Sequence, residues 1–254
     1  MTEAAVRRGS ALVTGGARRI GRSIVLTLAR AGWDVAVHHH QSQAEAEQTA
    51  DDARALGVRA AVLRADLADE TQARDLVPQA VQALGPLSAL VNNASVFRDD
   101  RVGALDRATW DAHLQTNLRA PVVLAEAFAA QAPDGSAIVN LLDQRVLKPD
   151  PRFFSYALSR NGLWWVTRTL AQALAPRIRV NGVGPGPTLP SVYQTPEEFA
   201  AEAAGALLQR PVDPEAVARA VSWLIDAEHV TGQMIAVDGG QHLAWRTPDI
   251  LDPE

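Results

Sequence analysis

The segment FFSYALSRNGL (153–163) contains a phenol and a permanent cation one helical turn apart. Tyr156 and Arg160 are four residues apart in a stretch with helical apolar spacing, so they lie on one face of a helix. Asp143 closes an apolar run further toward the N-terminus. A carboxyl, a phenol and a guanidinium in one site would suit proton transfer, although Tyr156 and Arg160 could also form a surface pair.

The elements that position these groups follow from the alternation of apolar runs and helical patterns. Most runs are continuously apolar, as expected for strands that are covered on both faces. Repeated strand-helix-strand units predict an α/β fold, a single Rossmann-like doubly wound parallel sheet of about seven strands with helices on both faces. The predicted strands are 11–14, 34–40, 59–65, 87–94, 136–142, 178–183 and 234–238, and the predicted helices are 19–31, 43–56, 69–84, 104–131, 152–175 and 213–227.

The bulk composition limits the possible functions. We expect a single domain over 1–254, with 47% apolar residues available for its core. A net charge of −5 argues against nucleic-acid and membrane partners. The absence of cysteine excludes disulfides and thiolate chemistry, and fits a cytoplasmic protein. The start, MTEAAVRRGS, shows no signal peptide, and no apolar run is long enough to span a membrane. The stretch 184–200 and the tail 241–254 are expected to shape a substrate pocket, and 184–200 is predicted to be an irregular mobile lid.

Glycines follow the first predicted strand at Gly15, Gly16 and Gly21. They suit the close approach of backbone to a pyrophosphate at a helix N-terminus, although an ordinary strand-helix turn would look similar. The second strand ends in HHHQS (38–42) with no acid for a ribose 2′-hydroxyl, and Arg18 and Arg19 stand nearby. This pattern favours NADP(H) without excluding NAD(H).

Two features near these strand ends have competing interpretations. Three successive histidines suggest a metal site, but neighbours on a strand point to opposite faces, so we predict no metal. Asp66, after the third strand, suits a contact with the adenine edge, and it suits equally well the N-cap of the helix that begins near Asp69.

Six ordered motifs resemble those of the short-chain dehydrogenase/reductase family across almost the whole chain. They are TGGARRIG (14–21), LVNNAS (90–95), TN (116–117), YALSR (156–160), VNGVGPGPT (180–188) and VTGQMIAVDGG (230–240). The resemblance is strongest to the pteridine reductases and their dihydrofolate-reducing relatives. Arg19, the HHHQS loop, Phe97 in NNASVF and Asp143 at the usual position of a catalytic serine all agree with that subgroup.

The resemblance implies an NADPH-dependent reductase of a pterin or dihydrofolate-like C=N bond, and a homotetramer formed partly by the helices at 104–131 and 152–175. It also implies roles for individual residues. The catalytic residues would be Asp143, Tyr156, Arg160 and Asn117. The cofactor would be bound by Gly15, Arg18, Arg19, Ile20, Gly21, His40, Gln41, Ser42, Asp66, Leu67, Asn93, Ala94, Ser95, Pro185, Gly186 and Thr188. The substrate would contact Ser95, Phe97, Asp143, Tyr156 and Leu189.

Two departures leave alternatives open. Gln41 replaces the subgroup's phosphate-binding arginine, and Arg160 replaces the family's lysine in a chain with one lysine, Lys148. Arginine retains a charge that would lower the pKa of Tyr156, but it does not readily release a proton. Reduction of another carbonyl or imine, or a catalytically impaired nucleotide-binding protein, therefore remain alternatives. Phe97 could be a core residue, and Asp143 could be a strand-end cap.

Overall fold

Residues 8–245 are described in the computed structural model. Seven parallel strands form one sheet in the order β3-β2-β1-β4-β5-β6-β7. The strands are β1 Gly9–Val13, β2 Trp33–His39, β3 Ala60–Arg64, β4 Leu87–Asn92, β5 Ser136–Leu141, β6 Ile178–Pro185 and β7 Met234–Val237. The helices are α1 Arg19–Arg30, α2 Gln43–Ala55, α3 Glu70–Leu84, α4 Arg107–Leu114, α5 Ala120–Gln131, α6 Phe154–Leu174, α7 Pro196–Ala204 and α8 Pro214–Asp226.

The core forms two apolar layers, one on each face of the sheet. Val13, Val35 and Val37 pack with α1, α2 and α8, whereas Leu12 and Ile138 pack with α3 and α5. All five side chains are fully buried. The predicted doubly wound sheet with helices on both faces is therefore confirmed.

The strand order places the functional edge. β1 pairs with β2 on one side and with β4 on the other, so the chain reverses its winding direction at β1. In open parallel sheets, ligands bind outside the carboxyl ends of the strands at such a switch point. The loops that follow β1 and β4 meet there.

Two predicted segments differ from the structure. The predicted helix at 104–131 begins at Arg107 and contains a π-helical turn at Gln115–Arg119, which apolar periodicity does not reveal. The stretch 184–200 is not wholly irregular. α7 begins at Pro196 because Thr195 and Glu198 form a reciprocal capping box at its N-terminus.

Some sequence expectations fall on residues outside 8–245. Most of the MTEAAVRRGS segment lies there, and so do residues 246–254 of the tail that was expected to shape the pocket. Within the described range, no helix is both long enough and apolar enough to cross a lipid bilayer.

Candidate active site

A cleft of about 1430 Å³ lies along the carboxyl edge of the sheet. Its walls include the loops after β1, β2, β3, β4, β5 and β6, together with the start of α6. All the predicted site residues line this cleft except Asn117, whose neighbour Thr116 does line it. The structure therefore brings the predicted cofactor-binding and substrate-binding residues, with Asp143, Tyr156 and Arg160, to one continuous cavity.

The glycine turn after β1 is built by backbone contacts. Gly15 has a φ of +61°, a left-handed conformation that favours glycine. A Cβ on Gly21 would lie 2.0 Å from the carbonyl oxygen of Gly15, so this position requires glycine. The turn leads into α1, whose N-cap residue Arg18 makes no side-chain capping bond. The first amides of α1 are thus left without that partner at the wall of the cleft.

His38 supports this turn from β2. Its Nδ1 accepts a hydrogen bond from the Gly15 amide at 3.0 Å, so the neutral ring carries its proton on Nε2, which donates to the Ala65 carbonyl at 3.1 Å. Burial lowers the pKa of His38 to about 4, against the smaller raising effect of the Ala65 carbonyl. The motif comparison gave His38 no role, yet it joins β1, β2 and β3 beneath the cleft.

Thr14, which was not among the predicted site residues, also supports the glycine turn. Its Oγ1 accepts from the amides of Asn93 and Ala94 at 2.9 and 3.0 Å, and donates to the Val91 carbonyl at 3.3 Å. The Asn93 side chain returns the contact by donating to the carbonyls of Thr14 and Gly15. These bonds fix the loops after β1 and β4 side by side.

The polar groups at the end of β2 are exposed. Arg18 lies 3.5 Å from Glu45, and the His40 ring lies 3.8 Å from the Asp66 carboxylate. Asp69 caps α3 by accepting from the amides of Thr71 and Gln72, so Asp66 is not the N-cap. Asp66 accepts instead from the Ala68 amide, and it faces the cleft beside Leu67.

Arg19 reaches across the cleft. It has a φ of +54°, and its Nη2 donates to the carbonyls of Leu189 and Pro190 at 3.2 and 3.0 Å. Burial and the neighbouring Arg18 charge lower the pKa of Arg19. The guanidinium thus bridges the glycine turn and the segment after β6.

At the other end of the cleft, the Tyr156 hydroxyl donates to Asp143 Oδ2 at 2.8 Å. Asp143 follows β5, and α6 carries Tyr156, so two elements converge to form this pair. The Asp143 carboxylate also caps the short turn Gln144–Val146, accepting from the Arg145 amide at 2.8 Å. Asp143 therefore does both: it caps this turn, and it accepts the hydrogen bond from Tyr156.

Arg160 is buried behind Tyr156, with 3% of its surface exposed. Its guanidinium carbon lies 5.3 Å from the centre of the Tyr156 ring, and Nη1 donates to the Leu141 carbonyl at 2.9 Å. The sequence analysis expected Arg160 to lower the pKa of Tyr156, but the pKa of Tyr156 is raised. Burial and the Asp143 charge raise the pKa of Tyr156 to about 12, although Arg160 acts in the lowering direction. Tyr156 is therefore a protonated phenol at neutral pH.

Phe97 belongs to an aromatic group on the cleft wall. Its ring stacks on Phe153 at 4.3 Å between centroids and meets the Tyr156 ring edge-on at 4.7 Å. Tyr193, after β6, lies 6.1 Å from Phe97. Phe97 is half-buried, so it is neither a full core residue nor a free surface residue. The motif comparison did not single out Phe153 or Tyr193.

Arg145 is a further cation that the sequence analysis missed. Its Nη1 lies 3.4 Å from both carboxylate oxygens of Asp143, and its guanidinium carbon lies 5.5 Å from the Phe153 ring centre. The Arg145 charge partly balances the Asp143 carboxylate. Its position two residues after Asp143 was the only available signal.

Asn117 acts from below the cleft. Within the π-helical turn, its Oδ1 accepts from the Val96 amide at 2.8 Å, and its Nδ2 donates to the Val96 carbonyl and to Ser159 Oγ. Ser95 is exposed on the same loop. Asn117 therefore fixes the loop that carries Ser95 and Phe97 to α6.

A metal site would require side chains that could together ligate the ion. Among residues 8–245, no group of three or more His, Cys, Asp or Glu side chains is arranged to hold a metal ion. His38 faces Gly15 and Ala65, whereas no hydrogen-bond partner within the described chain reaches either ring nitrogen of His39.

Known proteins resemble the chain over nearly its full length. The family model for enoyl-(acyl carrier protein) reductase matches residues 15–242. The 3-oxoacyl-[acyl-carrier-protein] reductase FabG of Staphylococcus aureus is 31% identical, over 92% of this chain and 98% of the relative.

Solved structures also resemble the chain, among them the following two. FolM alternative dihydrofolate reductase 1 from Brucella canis, complexed with NADP, is 50% identical, with a TM-score of 0.93, over 98% of this chain and 100% of that one. A blue fluorescent protein from a metagenomic library, in complex with NADPH, is 33% identical, with a TM-score of 0.87, over 93% and 99%. The sheet, the ordered motifs and these matches agree, and the chain belongs to the short-chain dehydrogenase/reductase family of oxidoreductases.

Proposed function

We propose that the chain is an NADPH-dependent reductase of a pterin or dihydrofolate-like C=N bond. The observation that carries this proposal is the 2.8 Å hydrogen bond from Tyr156 to Asp143, with the Phe97 ring 4.7 Å from Tyr156. A phenol and a carboxylate beside an aromatic wall suit proton delivery to the nitrogen of a flat heterocycle.

The residues of the cleft fit NADP(H). The N-terminus of α1, without a side-chain cap and with the glycine turn beside it, suits a pyrophosphate. β2 does not end in an acid, and Arg18, His40, Gln41 and Ser42, which line the cleft, would bind a 2′-phosphate. Pro185, Gly186, Thr188 and Arg160 also line the cleft, and they would hold the nicotinamide half of the cofactor. NAD(H) is the weaker fit because β2 ends without an acid that would bind the ribose 2′-hydroxyl.

The protein groups then deliver the proton. When bound, the cofactor would supply a hydride to the carbon of the C=N bond. Tyr156 Oη holds a proton at neutral pH and donates it to the ring nitrogen. The Arg160 charge stabilises the phenolate that remains. Asp143, with 13% of its side chain exposed, would relay the replacement proton: its carboxylate accepts a proton from a hydronium ion of the solvent and passes it to the Tyr156 phenolate, which restores both groups.

Phe97 positions the ring in this proposal. Phe153 covers one face of Phe97, so the substrate stacks on the other face. Ser95 and Leu189 line the same part of the cleft and provide polar and apolar contacts. The 50% identity to the Brucella canis FolM protein supports a substrate of this class.

A second candidate function is reduction of another carbonyl or imine. The similarity to the Staphylococcus aureus 3-oxoacyl reductase favours it. A third candidate is an impaired nucleotide-binding homologue, because buried Arg160 stands where the family's lysine would release protons.

NADPH oxidation with dihydrobiopterin, dihydrofolate and a panel of ketones separates the three candidates. The proposal expects turnover of at least one pteridine at a higher kcat/KM than any ketone. Turnover of ketones alone would support the second candidate. Cofactor binding without any turnover would support the third.

The same family relationship leads us to propose a cytoplasmic homotetramer. Trp165 on α6 is 64% exposed and suits a contact with a partner chain, as aromatic residues often do at interfaces. Light scattering checks this arrangement, and a monomeric mass would contradict it.

A further inference from the structure

A fully buried polar network lies beneath the aromatic wall, apart from the groups that face substrate. It consists of His113 on α4, Ser155 at the start of α6 and Asp100 in the loop after β4. His113 and Ser155 have no exposed surface, and Asp100 is 5% exposed. Burying three such groups is costly unless every polar atom is paired, so their retention calls for an explanation.

The direction of each hydrogen bond can be assigned. The Arg98 amide donates to His113 Nε2 at 3.1 Å, so the neutral ring carries its proton on Nδ1. Nδ1 therefore donates to Ser155 Oγ at 2.7 Å, and the Ser155 hydroxyl donates to Asp100 Oδ2. Burial lowers the pKa of His113, in agreement with a neutral ring.

Asp100 also replaces a missing cap. Phe153 is the N-cap of α6, has a left-handed φ of +53° and makes no side-chain capping bond. Asp100 accepts from the Ser155 amide through its carboxylate, at 3.0 Å, and from the Phe154 amide through its main-chain carbonyl. The start of α6 is thus held by a residue from the loop that carries Phe97.

The network runs parallel to the contacts of Asn117. His113 and Asn117 are four residues apart along the chain, and so are their partners Ser155 and Ser159 on α6. His113 bonds to Ser155 and Asn117 bonds to Ser159, and we call each of these two side-chain hydrogen bonds a rung. Each rung also holds a loop amide, that of Arg98 or that of Val96. Phe97 lies between these two amides, and Tyr156 follows Ser155 directly.

We propose that His113, Ser155 and Asp100 are positioning residues that hold the Phe97 ring in its place against Tyr156, and so set the position of a flat substrate stacked on the free face of Phe97. The kinetic consequence rests on the proposed function. The structural consequence, an ordered loop over 96–101, does not. A displacement of about 1 Å between reacting groups costs on the order of 100-fold in rate.

The test compares Ser155→Ala with Ser155→Thr, which keeps the hydroxyl, and with Thr169→Ala, a control on the same helix. Among residues 8–245, the Thr169 hydroxyl bonds to the carbonyls of its own helix, at Trp165 and Val166. Asp100→Asn, which keeps an acceptor for the Ser155 amide, replaces Ser155→Ala if that variant does not fold. Circular dichroism establishes folding for each variant.

We expect Ser155→Ala to lower kcat about 10- to 100-fold and to raise the KM of the heterocycle, with the Kd of NADPH unchanged. Ser155→Thr should restore kcat to within about 3-fold of wild type, and Thr169→Ala should match wild type. Hydrogen exchange of amides 96–101 should accelerate in Ser155→Ala alone.

Folded Ser155→Ala with wild-type kcat and KM would overturn the proposal, and so would unchanged exchange of the loop amides. If the wild-type enzyme reduces ketones and no pteridine, the proposed function fails, and the kinetic comparison uses the best ketone. The exchange measurement then still decides whether the network orders the loop.

Discussion

The two ends of the cleft, the cofactor end at the glycine turn and the substrate end at Tyr156, are held by different kinds of contact. The cofactor end is held by main-chain groups: a glycine turn, carbonyls and amides, with Thr14 and His38 bonded to backbone atoms. The substrate end is held by side chains that contact other side chains, such as Tyr156 with Asp143 and Phe97 with Phe153. The cofactor end therefore depends on the positions of glycines, and the substrate end depends on which side chains contact each other.

This difference predicts how each end tolerates change. Main-chain contacts survive most substitutions, so the cofactor end can stay constant while substrates differ among relatives. Side-chain contacts change with every substitution, so under the proposed function the substrate end would determine specificity. Substitutions at the cofactor end should therefore affect stability and cofactor binding, whereas those at the substrate end should affect kcat and substrate choice.

The largest effect is expected for Tyr156→Phe. Loss of the hydroxyl removes the proposed proton donor and leaves the ring in place, so kcat should fall about 1,000-fold, or about 4 kcal/mol of activation free energy. NADPH binding, measured by fluorescence titration, should be unchanged because Tyr156 lies at the substrate end. A variant that kept more than a tenth of wild-type kcat would show that another group donates the proton.

Gly21→Ala tests the cofactor end. The new Cβ would overlap the Gly15 carbonyl, so the turn must distort, at a cost of about 3 kcal/mol in unfolding free energy together with weaker NADPH binding. Urea unfolding measures the first and calorimetric titration the second.

Gly205→Ala is the matched control for Gly21→Ala. A Cβ there would make ordinary contacts at 3.4 and 3.6 Å, and we expect stability close to wild type. Equal stability of the two variants would contradict the close approach in the turn.

His38 gives the cofactor end a pH dependence. Its folded-state pKa of about 4 lies below the ordinary 6.5, so the unfolded chain binds the proton first as the pH falls. The His38 contribution is complete above pH 6.5 and is lost between pH 6.5 and about 4. At pH 5 the unfolding free energy should be about 2 kcal/mol lower than at pH 7 from this group.

Urea unfolding at both pH values checks this loss, and His38→Gln should reduce it. The exposed His229 provides the control, since His229→Gln should leave the pH dependence as in wild type. A wild-type pH dependence in His38→Gln would mean that His38 is not the titrating group.

The smallest effect is expected for Arg160→Lys. Lysine keeps the charge behind Tyr156 and restores a group that releases protons, so turnover should be retained or raised within about 3-fold. Steady-state kinetics measures this. If Arg160→Lys folded but abolished turnover, arginine would be a specific requirement, and our account of it as a substitute for lysine would fail.

The sequence predicted much of this arrangement because backbone patterns leave local signals. Apolar runs predicted the seven strands along the chain, and glycine spacing located the turn after β1, whereas the order of the strands in the sheet came from the structure. Motif positions predicted that Tyr156 and Asp143 belong to one site, where the structure places them. These features depend on residues close together in the chain or on a known order of motifs.

The rest depends on contacts between distant residues whose types are common. His113 and Ser155 are 42 residues apart, and neither is unusual in a helix. Phe153 and Arg145 flank known motifs without belonging to them. The raised pKa of Tyr156 required the depth of burial, which no pattern in the sequence reports.

The most direct test of the account is the ratio of kcat/KM for a dihydropteridine to that for a ketone, in the wild type and in Asp143→Ser. Serine restores the neutral hydroxyl that carbonyl reduction uses. We predict that the wild type prefers the dihydropteridine and that Asp143→Ser lowers the ratio about 100-fold. A wild-type enzyme that prefers the ketone, or an unchanged ratio in Asp143→Ser, would contradict the claim that Tyr156 and Asp143 together make this a C=N reductase.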